Sequence, residues 1–80
     1  MDPEEILTTA IERFRAISWN VLQDRPDIIL ASEALDGQRA ADDLKVGREQ
    51  LFWPKTAPKL KIATSLVAAI ESAMLPSHEF

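Results

Sequence analysis

The sequence predicts an all-α fold, a small bundle of about four helices, and three observations carry that expectation. Eleven alanines and nine leucines stand against three valines, four threonines and no tyrosine, a set of side chains that lose little rotamer freedom in a helix. Apolar residues recur at spacings of three and four along most of the chain instead of alternating. Only two glycines interrupt it, and 46% apolar residues in a chain of 80 suffice for one core but not for two. The expectation is one helical domain over residues 1–80, with two long helices (about 3–23 and 57–75), two shorter ones (about 27–36 and 38–52) and a flexible tail at 76–80.

The first helix has a clear start. Asp2 can accept from the unpaired amides of the first turn, Pro3 fits the first helical position, and Glu4 and Glu5 complement the positive end of the helix dipole. Ile6, Leu7, Ala10, Ile11, Phe14, Ile17, Val21 and Leu22 then fall within roughly 80° either side of Phe14 at about 100° per residue. The stripe predicts a helix to about Gln23, ended because Arg25 precedes Pro26 and is pushed from helical angles.

Pro26 and Asp27 can open the second helix, with Ile28, Ile29, Leu30, Ala31, Ala34 and Leu35 buried and Gly37 as a left-handed cap. Gln38 to Phe52 can form the third through Ala40, Ala41, Leu44, Leu51 and Phe52. Gly47 in its middle costs about 1 kcal/mol and marks a candidate break. Trp53-Pro54 ends it, and Thr56 can cap the next helix.

Around Leu66 in the fourth helix, Leu60, Ile62, Ala63, Val67, Ala69, Ile70, Ala73 and Met74 cover an arc of about 180°. An arc that wide implies contact on two sides, so this helix is expected to be central, with the first helix as its antiparallel partner. The competing reading is a short strand over Lys59–Thr64, where Leu60 and Ile62 alternate with polar residues.

Several function classes drop out on composition. Without cysteine there is no disulfide framework, thiolate zinc site, iron–sulfur cluster or thiol catalysis. The longest uncharged apolar stretch, Ile62–Ile70, is about half of the roughly 20 residues that cross a bilayer. The acidic opening is unlike a basic targeting segment, so the expected setting is cytoplasmic. His78, the one histidine, is expected in the tail, while the neighbours in Glu4-Glu5 and in Asp42-Asp43 point about 100° apart on a helix. Gly37 and Gly47 fit no phosphate loop. The expectation is that the chain is not an enzyme and has no catalytic, cofactor-binding or metal-binding residues.

Two aromatic positions invite a functional reading. On a continuous first helix Trp19 lies about 140° from the centre of the apolar stripe, with Arg15 one turn behind it. The ring is covered by a loop or tail of its own chain, or it anchors an interface with Arg15 stacked on it, or it is simply exposed. Phe52-Trp53 either plugs the end of the bundle or forms an exposed knob beside Lys55, Lys59 and Lys61. A first helix about 31 Å long would also overhang its shorter neighbours, and a two-fold dimer is the commonest cover for such a face.

Charge is uneven along the chain. Residues 1–44 carry ten acidic and four basic side chains, residues 45–70 one acidic and five basic, giving −6 and +4. Opposed charge of this kind suits contact within the fold or with a partner.

The leading expectation is a non-enzymatic interaction or assembly module, self-associating as a homodimer and binding a protein partner through Arg15, Trp19, Phe52 and Trp53. The rival is a nucleic-acid-binding regulator in which Ala40–Leu51 has helix-turn-helix spacing, Arg48 and Gln50 reach base edges, and Lys55, Lys59 and Lys61 hold phosphates. Against it stand a pI near 4.8 and Pro54, which would truncate the reading helix. An accessory subunit of a larger complex is the third reading.

Overall fold

A computed structural model describes residues 2–37 and 39–74. The order of elements is α1 (Pro3–Ala16), α2 (Trp19–Leu22), α3 (Pro26–Asp36), α4 (Ala41–Gly47), one 3₁₀ turn (Arg48–Gln50) and α5 (Ala57–Met74). No strand occurs among the described residues, and Lys59–Thr64 lies within α5. The small all-α bundle is therefore the fold. The expected tail at 76–80, with His78, lies outside the described residues, as do Leu75 and Gln38.

Asp2 starts α1 as its sequence suggests, its carboxylate accepting from the Glu4 amide at 3.0 Å. The helix then stops seven residues earlier than the expected Gln23. Ile17 is extended (φ −69°, ψ 138°), and Ser18 caps a new single turn by accepting from the Asn20 amide at 3.2 Å. A serine in this position satisfies amides that a continuous helix would have bonded, so a break here costs little. With the kink, Ile17 and Leu22 are both enclosed while Val21 faces outward. The 31 Å rod and its overhang therefore do not exist.

α3 is apolar nearly all round, which made its inner face illegible. Ile28, Ser32 and Leu35 are buried, a face of four- and three-residue steps, whereas Leu30 is 65% exposed and Ala34 also faces solvent. Ser32 can lie inside because its hydroxyl donates to the Ile29 carbonyl at 2.7 Å. At the N-terminus of α3, Arg25 clasps Asp27 through two bonds of 3.0 and 2.9 Å, which hold the carboxyl below its usual range.

Gly37 ends α3 with φ 108° and ψ −75°, a backbone open to glycine and strained for any other residue. No atom lies within 4 Å of where a Cβ would stand, so Gly37→Ala isolates backbone strain from crowding. We expect it to destabilise the domain by about 1–2 kcal/mol, read as a lower urea midpoint at unchanged slope.

α5 is central, as its wide apolar arc predicts: α1 and α3 both pack against it, around Ala63, Leu66 and Ile70. α1 contributes Leu7, Ala10 and Phe14, with Ile17 following its last turn. The expected antiparallel pairing of first and last helices is corrected. Glu4 meets Lys55 at 3.8 Å and Arg13 meets Glu71 at 3.3 Å, so α1 and α5 run in the same direction. Lys59 donates to the Ala34 carbonyl, joining the start of α5 to the end of α3.

The reversal has a physical cause in the connection. The third helix expected over 38–52 ends at Gly47, one 3₁₀ turn follows, and residues 51–56 carry no regular structure. Leu51 lies by Arg15, Trp53 by Phe14 and Lys55 by Glu4. The segment thus descends along α1 from its last turn to its first, and delivers α5 to the end where α1 began.

No helix of the described residues is long and apolar enough to cross a membrane.

Candidate functional site

The descending segment and the cluster of side chains above it form the best-defined site on the molecule. It starts from a need common to every helix end: the last carbonyls of α1 have no partner within the helix. Arg48 supplies one, its guanidinium donating to the Phe14 carbonyl at 3.1 Å and the Ile17 carbonyl at 2.7 Å. A cation at this end also complements the helix dipole.

The same guanidinium lies over two rings, 5.6 Å from the centroid of Trp19 and 5.7 Å from that of Phe14. Lys45 stands 6.0 Å over the Trp19 ring as well. Burial lowers the Arg48 pKa, opposed by the neighbouring Glu49 charge, and the group stays cationic at any pH a protein tolerates. Arg48 is therefore a structural clamp that ties the 3₁₀ turn to the kink between α1 and α2.

Arg15 works on the next residues. It does not stack on Trp19. Its guanidinium donates instead to the Leu51 carbonyl at 3.1 Å. Trp19, read from the sequence as a ring projecting from the polar side of a rod, is half-buried against the core and covered by Lys45 and Arg48. The helical angle that set it apart vanished with the break at Ile17. Of the four expected partner-binding residues, Arg15 and Trp19 are thus engaged within their own chain.

The remaining two separate sharply. Leu51, Phe52 and Trp53 form a stretch in which successive side chains point to opposite sides, as in any extended backbone. Leu51 is 3% exposed and Trp53 1%, while Phe52 between them is 77% exposed. Trp53 packs on Phe14 with ring centroids 5.7 Å apart at 54°. It is core, as in the reading that has it plug the bundle, so it is not open to a partner as the expected partner-binding set required, and its indole Nε1 is enclosed without a hydrogen-bond partner among the described residues. Phe52 is held outward because both neighbours are anchored inward. Val46 on α4, 86% exposed, adds a second apolar side chain to the outer surface.

The helix-turn-helix arrangement is not formed. Val46, needed inside to seat a reading helix, faces solvent, and the residues after Gly47 make one 3₁₀ turn and then extend. Arg48 points inward and Lys59 bonds Ala34, while Gln50, Lys61 and Lys55, the last beside Glu4, stay on the surface. Five residues meant for one groove face different tasks.

Open depressions lie on the surface among the described residues. One of about 350 Å³ is lined by Glu4, Glu5, Thr8, Thr9 and Lys55, and one of about 260 Å³ by Arg39, Asp43, Val46, Gly47 and Gln50. Among the described residues no group of three acidic or histidine side chains is placed to hold a metal ion. No protein-family model matches the chain, and no curated protein or solved structure shows significant similarity to it.

Proposed function

We propose that the chain is a small, non-enzymatic interaction module that self-associates, and that Phe52 is the anchor of its docking surface. The observation that supports this most is the exposed phenylalanine between two enclosed neighbours. An aromatic ring left in water forgoes a favourable burial of about 2 kcal/mol. A ring whose backbone is fixed on both sides gives up little freedom on binding, so most of that gain is retained as affinity. Arg15 and Trp53 provide the fixing.

A cytoplasmic setting belongs to the same reading, supported by a chain without cysteine.

The test is the mass in solution by light scattering across a concentration series. The wild type is expected to approach about twice 8.9 kDa at the upper end of the series. Phe52→Ser is expected to stay at the monomer mass with unchanged helix content and, at concentrations where the wild type is also monomeric, an unchanged melting temperature, because the side chain contributes nothing to the core. A variant that still forms dimers would place the docking surface elsewhere.

A further inference from the structure

We infer that Asp36-Gly37, at the end of α3, is a site of spontaneous covalent modification, in which the aspartate side chain closes on the glycine amide and reopens as isoaspartate, and that Arg39 restrains it. The sequence supplies the reactive pair. Asp36 is the one aspartate followed by glycine, the residue with no side chain to shield its amide nitrogen. Asp2 precedes a proline, which has no N–H, and Asp24, Asp27, Asp42 and Asp43 precede arginine, isoleucine, aspartate and leucine.

The structure leaves this pair room to react. Gly37 is exposed, and no atom lies within 4 Å of where its Cβ would stand. Asp36 is the last residue of α3, where the backbone can rotate by fraying one turn instead of breaking a helix. Asp27, Asp42 and Asp43 lie in first turns, with their helices continuing after them.

The step needs only water. The Gly37 nitrogen bonds to Cγ of the protonated Asp36 carboxyl, and the amide proton and the carboxyl hydroxyl leave together as water, closing a succinimide ring. Water then adds to either ring carbonyl. Opening at the side-chain carbonyl restores aspartate, and opening at the backbone carbonyl leaves the main chain running through Cγ as isoaspartate.

Two contacts oppose the closure. The Gly37 amide donates to the Glu33 carbonyl at 2.6 Å, and the Asp36 carboxylate pairs with the Arg39 Nε at 3.2 Å, its side chain 16% exposed. Both must release, because the reacting atoms have to meet at about 3–3.5 Å with the nitrogen aimed at Cγ. Arg39 is itself held, donating to the Gly47 carbonyl at 3.2 Å at the end of α4, where a Cβ would stand 2.6 Å from the guanidinium. The restraint on Asp36 is therefore set from α4. Isoaspartate lengthens the main chain by one carbon, so a modified molecule loses both the Glu33 bond that caps α3 and the register of Asp36 with Arg39.

Wild type, Arg39→Gln and Asp36→Glu incubated for weeks at neutral pH, with isoaspartate at residue 36 followed by peptide mapping and mass spectrometry, test this; wild type in urea gives the rate of the unfolded chain. Folded wild type is expected to form isoaspartate at residue 36 more slowly than the unfolded chain. Arg39→Gln is expected to form it about fivefold faster than folded wild type, the factor an ion pair of this kind accounts for. Asp36→Glu, whose ring would be one atom larger, is expected to form none. Because Arg39→Gln also loses the bond to Gly47, folded wild type in about 0.5 M salt measures the ion pair alone, with an expected rise of about twofold over low salt. Isoaspartate that forms at residue 36 in urea but in neither folded chain would overturn the site. Equal rates in folded wild type and Arg39→Gln, unmoved by salt, would overturn the role of Arg39.

Discussion

Replacing Trp53 with alanine is expected to destabilise the domain by about 3–5 kcal/mol, the range for removing a large aromatic side chain from a packed interior. A domain of this length has about 4–12 kcal/mol of stability in all, so the substitution removes between about a quarter and all of it, read as a large fall in the urea midpoint. The reason lies in position as much as in size. Trp53 is enclosed against Phe14, and it holds the descending segment to α1 at the point where the chain turns back toward the start of α5. Trp53→Phe separates two contributions: it keeps an aromatic contact with Phe14 but removes an indole N–H that has no partner. Relief of that unpaired donor offsets part of the lost volume, and we expect a cost of at most about 1.5 kcal/mol by urea denaturation.

Arg48→Ala is expected to cost about 2–3 kcal/mol. Two charge-assisted bonds to the Phe14 and Ile17 carbonyls disappear, together with contacts to two aromatic faces. Arg48→Lys should recover less than half of the loss, because one guanidinium nitrogen serves both carbonyls and an ammonium could replace it there, but an ammonium has no planar face to lay over two rings. Full recovery by lysine, measured as an unchanged thermal midpoint, would show that charge at the end of α1 matters and the planar face does not.

The parts of this architecture that were legible in the sequence are those set by local chemistry. Asp2 and Pro3 mark the start of α1, and Pro26 and Gly37 bracket α3. Gly47 marks the end of α4, and the wide apolar arc of α5 identifies the central helix. The break at Ile17–Ser18 was missed because the apolar period runs through it without interruption. Its only signal was Ser18, a strong cap residue that helix periodicity ignores.

What periodicity could not supply was the partner of each charge. Arg15, Arg48 and Lys59 spend their donors on backbone carbonyls 25 to 36 residues away, contacts that only the tertiary fold creates. Those contacts moved the candidate site. The tryptophan singled out by its helical angle became a covered ring, and the outward residue proved to be Phe52, fixed by alternation along an extended stretch no helical wheel describes.

Isotope-filtered NMR on a mixture of ¹³C-labelled and unlabelled wild-type protein at millimolar concentration tests that claim most directly. Contacts between copies should include the ring protons of Phe52, with neighbours among Glu49, Gln50 and Lys55 of the other chain. A spectrum whose contacts between copies avoid Phe52 and arise from α3 around Leu30, or that contains no such contacts at all, would contradict it.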